Sequence, residues 1–399
     1  MKTMNTHLIS PGFASVAGLP ATLCLLALLS LSAASCSDEN ATAGLPAVEG
    51  RFTLSYTIPD SRAAENPSGL VAATASDTRA ADYVVAVGNE SRVADLQLLF
   101  FANDDHGNGT YITSLAATPV QPTTGTTEKT DVTYTPASGI DDATDYRVLV
   151  IANLGKYLDA DGTAALLATC AGKTENRVKL DLIPAISAAR ATGGILNGGG
   201  ALYLLMSGET VKTAGKDMQV ELRRASVRID VAVAEDKATV ITLDKALLMN
   251  VAADVPLFCD PRGIYTPGRV STKQADAADN RLTGQLHCTE SYLDTSDGDS
   301  RKKIFGSTCL IISATSTAIA YTGTAAGKTW YRLDPVTGAD GIQYLKRNNA
   351  YTVVIKDITA PGYSTPEEAY YSDAMLITGV TIPSGWNASG EVPPQIDIN

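Results

Sequence analysis

Phe52, Leu54, Tyr56 and Ile58 alternate with Thr53, Ser55 and Thr57 in the stretch GRFTLSYTIP at residues 50–59. That is the period-two pattern of a strand with one buried face. Residues 60–82, DSRAAENPSGLVAATASDTRAAD, are rich in Ala, Ser and Thr and follow neither a helical nor a strand period. A connection of that length without structure is unusual inside a compact domain, and exposed segments of this kind attract proteolytic nicking. Apolar runs return at 91–104 (SRVADLQLLFFAND) and 145–155 (DYRVLVIANLG) and read as buried strands. Between them, Gly-, Thr- and Pro-rich text reads as hairpins and loops. DADGTAALLATCAG at 159–172 predicts a short helix, with Asp161 or Thr163 as its cap and Gly172 as its stop. ALYLLMSGE at 201–209 closes this half.

From 218 onward the pattern is strand after strand: MQVELRRASVRIDVAV, VITLDKALLMNV, STCLIISAT, TAIAYTG, KTWYRLDP, QYLKRNNAYTVVIKDI and AMLITGVTI. Turn residues separate them, and helical periodicity is almost absent. The chain is therefore expected to be mainly β, built as two antiparallel β-sandwich-like domains with one or two short helices in the first. The boundary is expected near 215, dividing 80–215 from 216–399. No repeat of fixed period is visible, which sets aside solenoids and propellers.

Length supports two domains, because one core rarely grows beyond about 250–300 residues and this chain has 399. The net charge is -12, and no long Lys/Arg cluster interrupts it. The electrostatic footprint of nucleic-acid binding is missing. At the N-terminus, Lys2 precedes the apolar run ATLCLLALLSL (21–31), which is too short to span a bilayer and leads through SAAS to Cys36. This resembles a lipobox, with Ala33 where Leu is usual, so residues 1–35 read as a lipoprotein signal peptide and Cys36 as the lipidated residue. A plain signal peptide is the alternative. The following SDEN resembles the surface-export tag of lipoproteins in Bacteroides-like bacteria. Cys170, Cys259, Cys288 and Cys309 remain in the body, none in a metal-ligand spacing, and disulfides and buried thiols are equally good readings.

The residues offer no positive sign of catalysis. Of three histidines, His7 belongs to the signal, His106 falls in a hairpin turn, and His287 is followed by Cys288, whose side chain points to the opposite face of a strand. DTSDGDS (294–300) does not keep the EF-hand order, and GGILNGGG (193–200) carries neither GxGxxG nor a Walker lysine. No enzyme activity, cofactor or metal is expected.

Several stretches taken in order resemble the fimbrillin family, the subunits of type V pili made by Bacteroidales bacteria. They are NESRVADLQLLFF, RVLVIANLG, LYLLMSGE, ELRRASVRIDV, WYRLDP and YLKRNNAYTVVIKDITAPGYSTPEEA, and the match covers roughly 36–399. The resemblance implies two transthyretin-like β domains and a lipoprotein precursor in the outer membrane. It also implies cleavage by an Arg-specific protease and polymerisation by donor-strand exchange with copies of the chain or related pilins. The mature protein would be a cell-surface fimbrium that supports adhesion and biofilm formation. In that light residues 36–79 are a tether, a temporary strand and a cleavable loop, and Phe52, Leu54, Tyr56 and Ile58 belong to the strand that is displaced.

The cut is expected at Arg79-Ala80, with Arg62-Ala63 second; a cut at Arg51 would leave the strand attached. For the donor, EVPPQIDIN (391–399) places Val392, Ile396 and Ile398 on one face, with 374–382 as its base. Pro393 and Pro394 suit an edge or linker rather than a central strand. Other readings are a non-polymerising tip or anchor subunit, and a surface lipoprotein binding carbohydrate or a host protein.

Overall fold

The computed structural model describes residues 49–58, 90–120, 127–185, 203–258, 269–272, 274–294, 308–333, 342–345, 347–372 and 377–378. All of them lie in one compact unit spanning residues 47–399. The chain is mainly β. The first group of strands is β1 (Gly50–Thr57), β2 (Leu96–Ala102), β3 (Tyr111–Ala117), β4 (Thr127–Tyr134), β5 (Tyr146–Ala152), β6 (Met206–Lys212), β7 (Met218–Glu221) and β8 (Arg223–Arg224). They form a three-stranded sheet, β4-β1-β7, and a five-stranded sheet, β3-β2-β5-β6-β8.

The inner strands β2 and β5 of the five-stranded sheet are buried on both faces. Leu96, Leu98 and Phe100 of β2, with Val148 and Val150 of β5, pack towards β1. Leu99, Phe101, Leu149 and Ile151 pack into a second core. Two-sided burial is why β2 and β5 read as unbroken apolar runs rather than alternating ones. Two helices, α1 (Ala160–Ala168) and α2 (Glu175–Ala185), contribute Leu166, Val178 and Leu182 to that second core. The cap of α1 is Asp159, whose carboxylate accepts from Gly162 N at 2.7 Å, and neither Asp161 nor Thr163 has that role. Asp159 wins because it alone keeps the extended backbone a cap requires, while Asp161 already lies in the first turn.

Gly208 sits where the chain crosses from one sheet to the other. A Cβ there would overlap the Glu221 carbonyl oxygen, so only glycine lets β6 and the end of β7 approach this closely.

The second group comprises β9 (Ser226–Val233), β10 (Ile241–Met249), β11 (Val251–Ala252), β12 (Arg269–Val270), β13 (Ala275–Asp276), β14 (Arg281–Thr289) and β15 (Ser291–Asp294). It continues with β16 (Cys309–Ser316), β17 (Trp330–Leu333), β18 (Ile342–Leu345), β19 (Ala350–Ile355), β20 (Asp357–Ile358), the short α3 (Pro366–Tyr370) and β21 (Ile377–Thr378). Sheets β14-β9-β19 and β13-β10-β16-β17 carry most of it. Val227, Ile229 and Val231 of β9 share one core with Leu243, Ala246 and Leu248 of β10 and with Leu310 and Ile312 of β16. Strand pairing changes from the first group to the second between Arg224 and Ser226. The TAIAYTG stretch is not a strand: Ile319 N bonds back to Ser316 O in a turn, and Tyr321 spends its hydroxyl on Ser316 N and Tyr331.

Cys170 and Cys288 are buried free thiols. Cys309 is buried with its Sγ 3.8 Å from Met249 O, and Cys259 lies outside the described residues.

Candidate functional site

β1 is the middle strand of its sheet, yet both of its neighbours come from far along the chain. It runs antiparallel to β4 from Gly50↔Tyr134 to Thr57↔Thr127. On its other side it runs parallel to β7 from Leu54↔Met218 to Thr57↔Glu221. No hairpin ties it to either. Phe52, Leu54, Tyr56 and Ile58 are 5%, 0%, 0% and 3% exposed, so the alternation seen in the sequence corresponds to one buried face.

Each inward side chain has a defined seat. The Phe52 ring meets Phe100 edge-on at 6.1 Å and Tyr134 at 6.1 Å. Lys212 Nζ stands 5.6 Å above the same ring. The Lys212 side chain is only 1% exposed and is held by Asp142 Oδ1 at 3.0 Å. A desolvated ammonium over a ring face is a favourable contact. Tyr56 is fully buried, and its hydroxyl donates to Val120 O. On the outer face Arg51 pairs with Asp131, and Thr53 N donates to the Asp217 carboxylate at 3.0 Å. Four buried side chains at about 1.5–3 kcal/mol each give roughly 6–12 kcal/mol of gross stabilisation, an upper bound because unfolded chains already bury some surface.

Burial, reinforced by the nearby Glu128 carboxylate, pushes the Tyr56 hydroxyl up to about 12 from its ordinary 10. The released strand would ionise first, so the contribution of Tyr56 is constant below pH 10 and is lost as pH rises from 10 towards 12. In a chain nicked within 59–89, retention of the β1 fragment on gel filtration should weaken over that window. Tyr56→Phe should remove the step, and an unchanged step in Tyr56→Phe would show that another group causes it.

Past residue 89 the chain is fixed by a different set of contacts. Arg224 donates to Glu90 O at 3.0 Å and to Ser91 Oγ at 2.8 Å. Asn153, in the left-handed region at φ 68°, donates to Arg92 O at 2.9 Å and accepts from Ala94 N at 2.6 Å. The Glu90 carboxylate meets Arg228 at 2.8 Å and His287 Nε2 at 2.9 Å, and Arg228 also forks onto Asp230 at 2.7 Å. All four of these side chains are at most 3% exposed. Such a cluster is stable only when every charge is matched. The segment entering β2 thus has polar anchors of its own, in addition to the core that Val93 shares with β1. Sequence reading missed this cluster; its only trace is the run of polar residues alternating through SVRIDVAV.

Of the residues singled out from sequence, the displaced-strand set is brought together on one wall of one core. Cys36, Arg62, Ala63, Arg79, Ala80, Val392, Ile396 and Ile398 lie outside the described residues. The one described piece of 374–382 is β21, which pairs antiparallel with β20. His106 lies in the β2–β3 hairpin, where Asp104 accepts from its backbone N at 2.9 Å. His287 and Cys288 do point apart: His287 joins Glu90, while Cys288 enters the apolar core. Among the described residues no group of three or more His, Cys, Asp or Glu is placed to hold a metal ion. A cavity of about 290 Å³ beside β6 and β8 is lined by Glu221, Arg223, Leu257 and Arg347 among others. Its charges are already engaged, Arg223 with Glu221 at 2.7 Å and Arg347 with Pro256 O at 2.9 Å.

No family model and no curated protein matches the chain. Among solved structures it is similar to the tip fimbrial protein Mfa3 of Porphyromonas gingivalis in a C-terminally truncated form, at 12% identity and a TM-score of 0.45, covering 85% of this chain and 100% of that one. It is also similar to a fimbrial assembly protein of Parabacteroides distasonis, at 12% identity and a TM-score of 0.39, covering 87% and 100%.

Proposed function

We propose that the chain is a non-enzymatic subunit of a cell-surface fimbria, exported as an outer-membrane lipoprotein on Cys36. An Arg-specific protease cuts after Arg79, β1 leaves, and a strand of another fimbrial subunit takes its place. Its role is adhesion and biofilm formation. The observation that carries this reading is the position of β1: a central, fully packed strand with only long-range partners, joined to the body by the Arg-containing segment 59–89.

Removing β1 would leave an apolar trough between two unpaired edges, β4 and β7, which is a template for another strand. Ladder bonds then supply affinity and alternate side chains set register. Head-to-tail contacts that do not close generate a filament. The contacts at Glu90 and Asn153 support this order of events, since they keep β2 in place when β1 departs. The body left by the cut would be residues 80–215 and 216–399 as two β domains. The segment from about 387, with Val392, Ile396 and Ile398 on one face, is the donor to a neighbouring subunit, and 374–382 is its base.

Arg79→Gln tests the reading in cells. The variant should stay full length and be missing from sheared fimbriae, as scored by immunogold electron microscopy. Normal incorporation of uncut Arg79→Gln would refute it.

A further inference from the structure

The seats around β1 are made for particular side chains. The Phe52 seat is walled by the rings of Phe100 and Tyr134 and roofed by the Lys212 ammonium. Tyr56, four residues on and facing the same core, has a phenol-shaped seat that ends at Val120 O. At the rim, Asp131 faces the Arg51 side chain and Asp217 receives Thr53 N. An aliphatic residue in the Phe52 seat would leave space beside two rings and strip Lys212 of its ring face. An acid beside Asp131 would meet a like charge.

The segment proposed as donor does not match these seats. Residues 373–399 contain no Lys or Arg, and Trp386 is their single aromatic residue. Val392, Ile396 and Ile398 are aliphatic, and Glu391 and Asp397 are acidic. Taking the strand-replacement reading as its basis, we infer that the vacated groove is selective for a strand of a different polypeptide. That strand carries a basic residue followed by an aromatic, with a tyrosine four positions after the aromatic and apolar residues between and beyond them on the same face. The 387–399 segment of a second copy is the wrong strand for this groove. The subunit therefore joins a fimbria through an unlike neighbour on its groove side, and Phe52, Tyr56 and Arg51 mark the positions that set the choice.

The test uses the full chain, nicked at an engineered site within 59–89 so that β1 stays bound without a covalent link. Fluorescent peptides then compete for the groove: residues 50–58, the same peptide with Phe52→Ile and Tyr56→Ile, the same peptide with Arg51→Glu, and residues 387–399. Displacement of the resident fragment is read by mass spectrometry. The 50–58 peptide should exchange in, and the aliphatic peptide and the 387–399 peptide should each compete about tenfold or more weakly, the fold-change expected when well-seated rings are lost. The Arg51→Glu peptide should bind more weakly at low salt and recover as salt is raised. Equal competition by 387–399, or filaments grown from the nicked chain alone, would overturn the selectivity while leaving strand replacement standing. Failure of every peptide, 50–58 included, on fully nicked protein would overturn strand replacement itself and the inference with it.

Discussion

Leu54→Asp is expected to prevent the full-length chain from folding. Leu54 is 0% exposed in the centre of β1 and packs in the core shared by the two sheets of the first group. Truncating such a residue costs about 2–5 kcal/mol, and placing a carboxylate there adds a desolvation penalty of several kcal/mol. The sum is about the whole stability of an ordinary domain. Thr57→Lys, at the outward end of the same strand, should stay within about 0.5 kcal/mol of the parent, the usual range for surface changes. Chemical denaturation followed by far-ultraviolet circular dichroism separates the two. A full-length Leu54→Asp chain with an unshifted midpoint would mean that β1 is not part of the core.

Arg228→Met is expected to cost about 3–5 kcal/mol, because it leaves the Glu90 and Asp230 carboxylates buried without their shared cation. The effect should be the same whether or not β1 is present, since the ion pairs of this cluster join Arg228 to Glu90 and Asp230 and Glu90 to His287, all outside β1. Hydrogen exchange at residues 92–95 should accelerate along with the loss of stability. Unchanged exchange there would show that the cluster does not fix the entry into β2.

What was legible in the sequence was local. The alternation of Phe52, Leu54, Tyr56 and Ile58 identified β1 and its buried face, and the unbroken runs in β2 and β5 identified strands buried on both sides. Pairing was not legible, because β1 finds its partners 80 and 164 residues away, as its contacts with Asp131 and Asp217 show. β9 misleads in a different way. Its Ser, Arg and Asp alternate with apolar residues, the pattern of a strand with one wet face, yet all eight of its residues are buried. The polar side is covered by Glu90, which lies 138 residues from Arg228 and 197 from His287. α2 escaped notice because its inward face is only Val178, Leu182 and Ile183 and it carries Pro184 near its end. Its place on the sheet is fixed by ions, Lys179 with Glu209 of β6 at 2.7 Å and Glu175 with Arg147 of β5 at 3.3 Å. The cleavage, lipid and donor positions rest on motif and resemblance.

That β1 is a strand made to be removed is tested most directly by the N-terminal sequence of the chain recovered from sheared surface fimbriae. A chain beginning at Ala80 is expected, with residues 50–58 absent from the assembled material. A chain beginning at Ser37 or Phe52, with β1 still in place inside the fimbria, would contradict it.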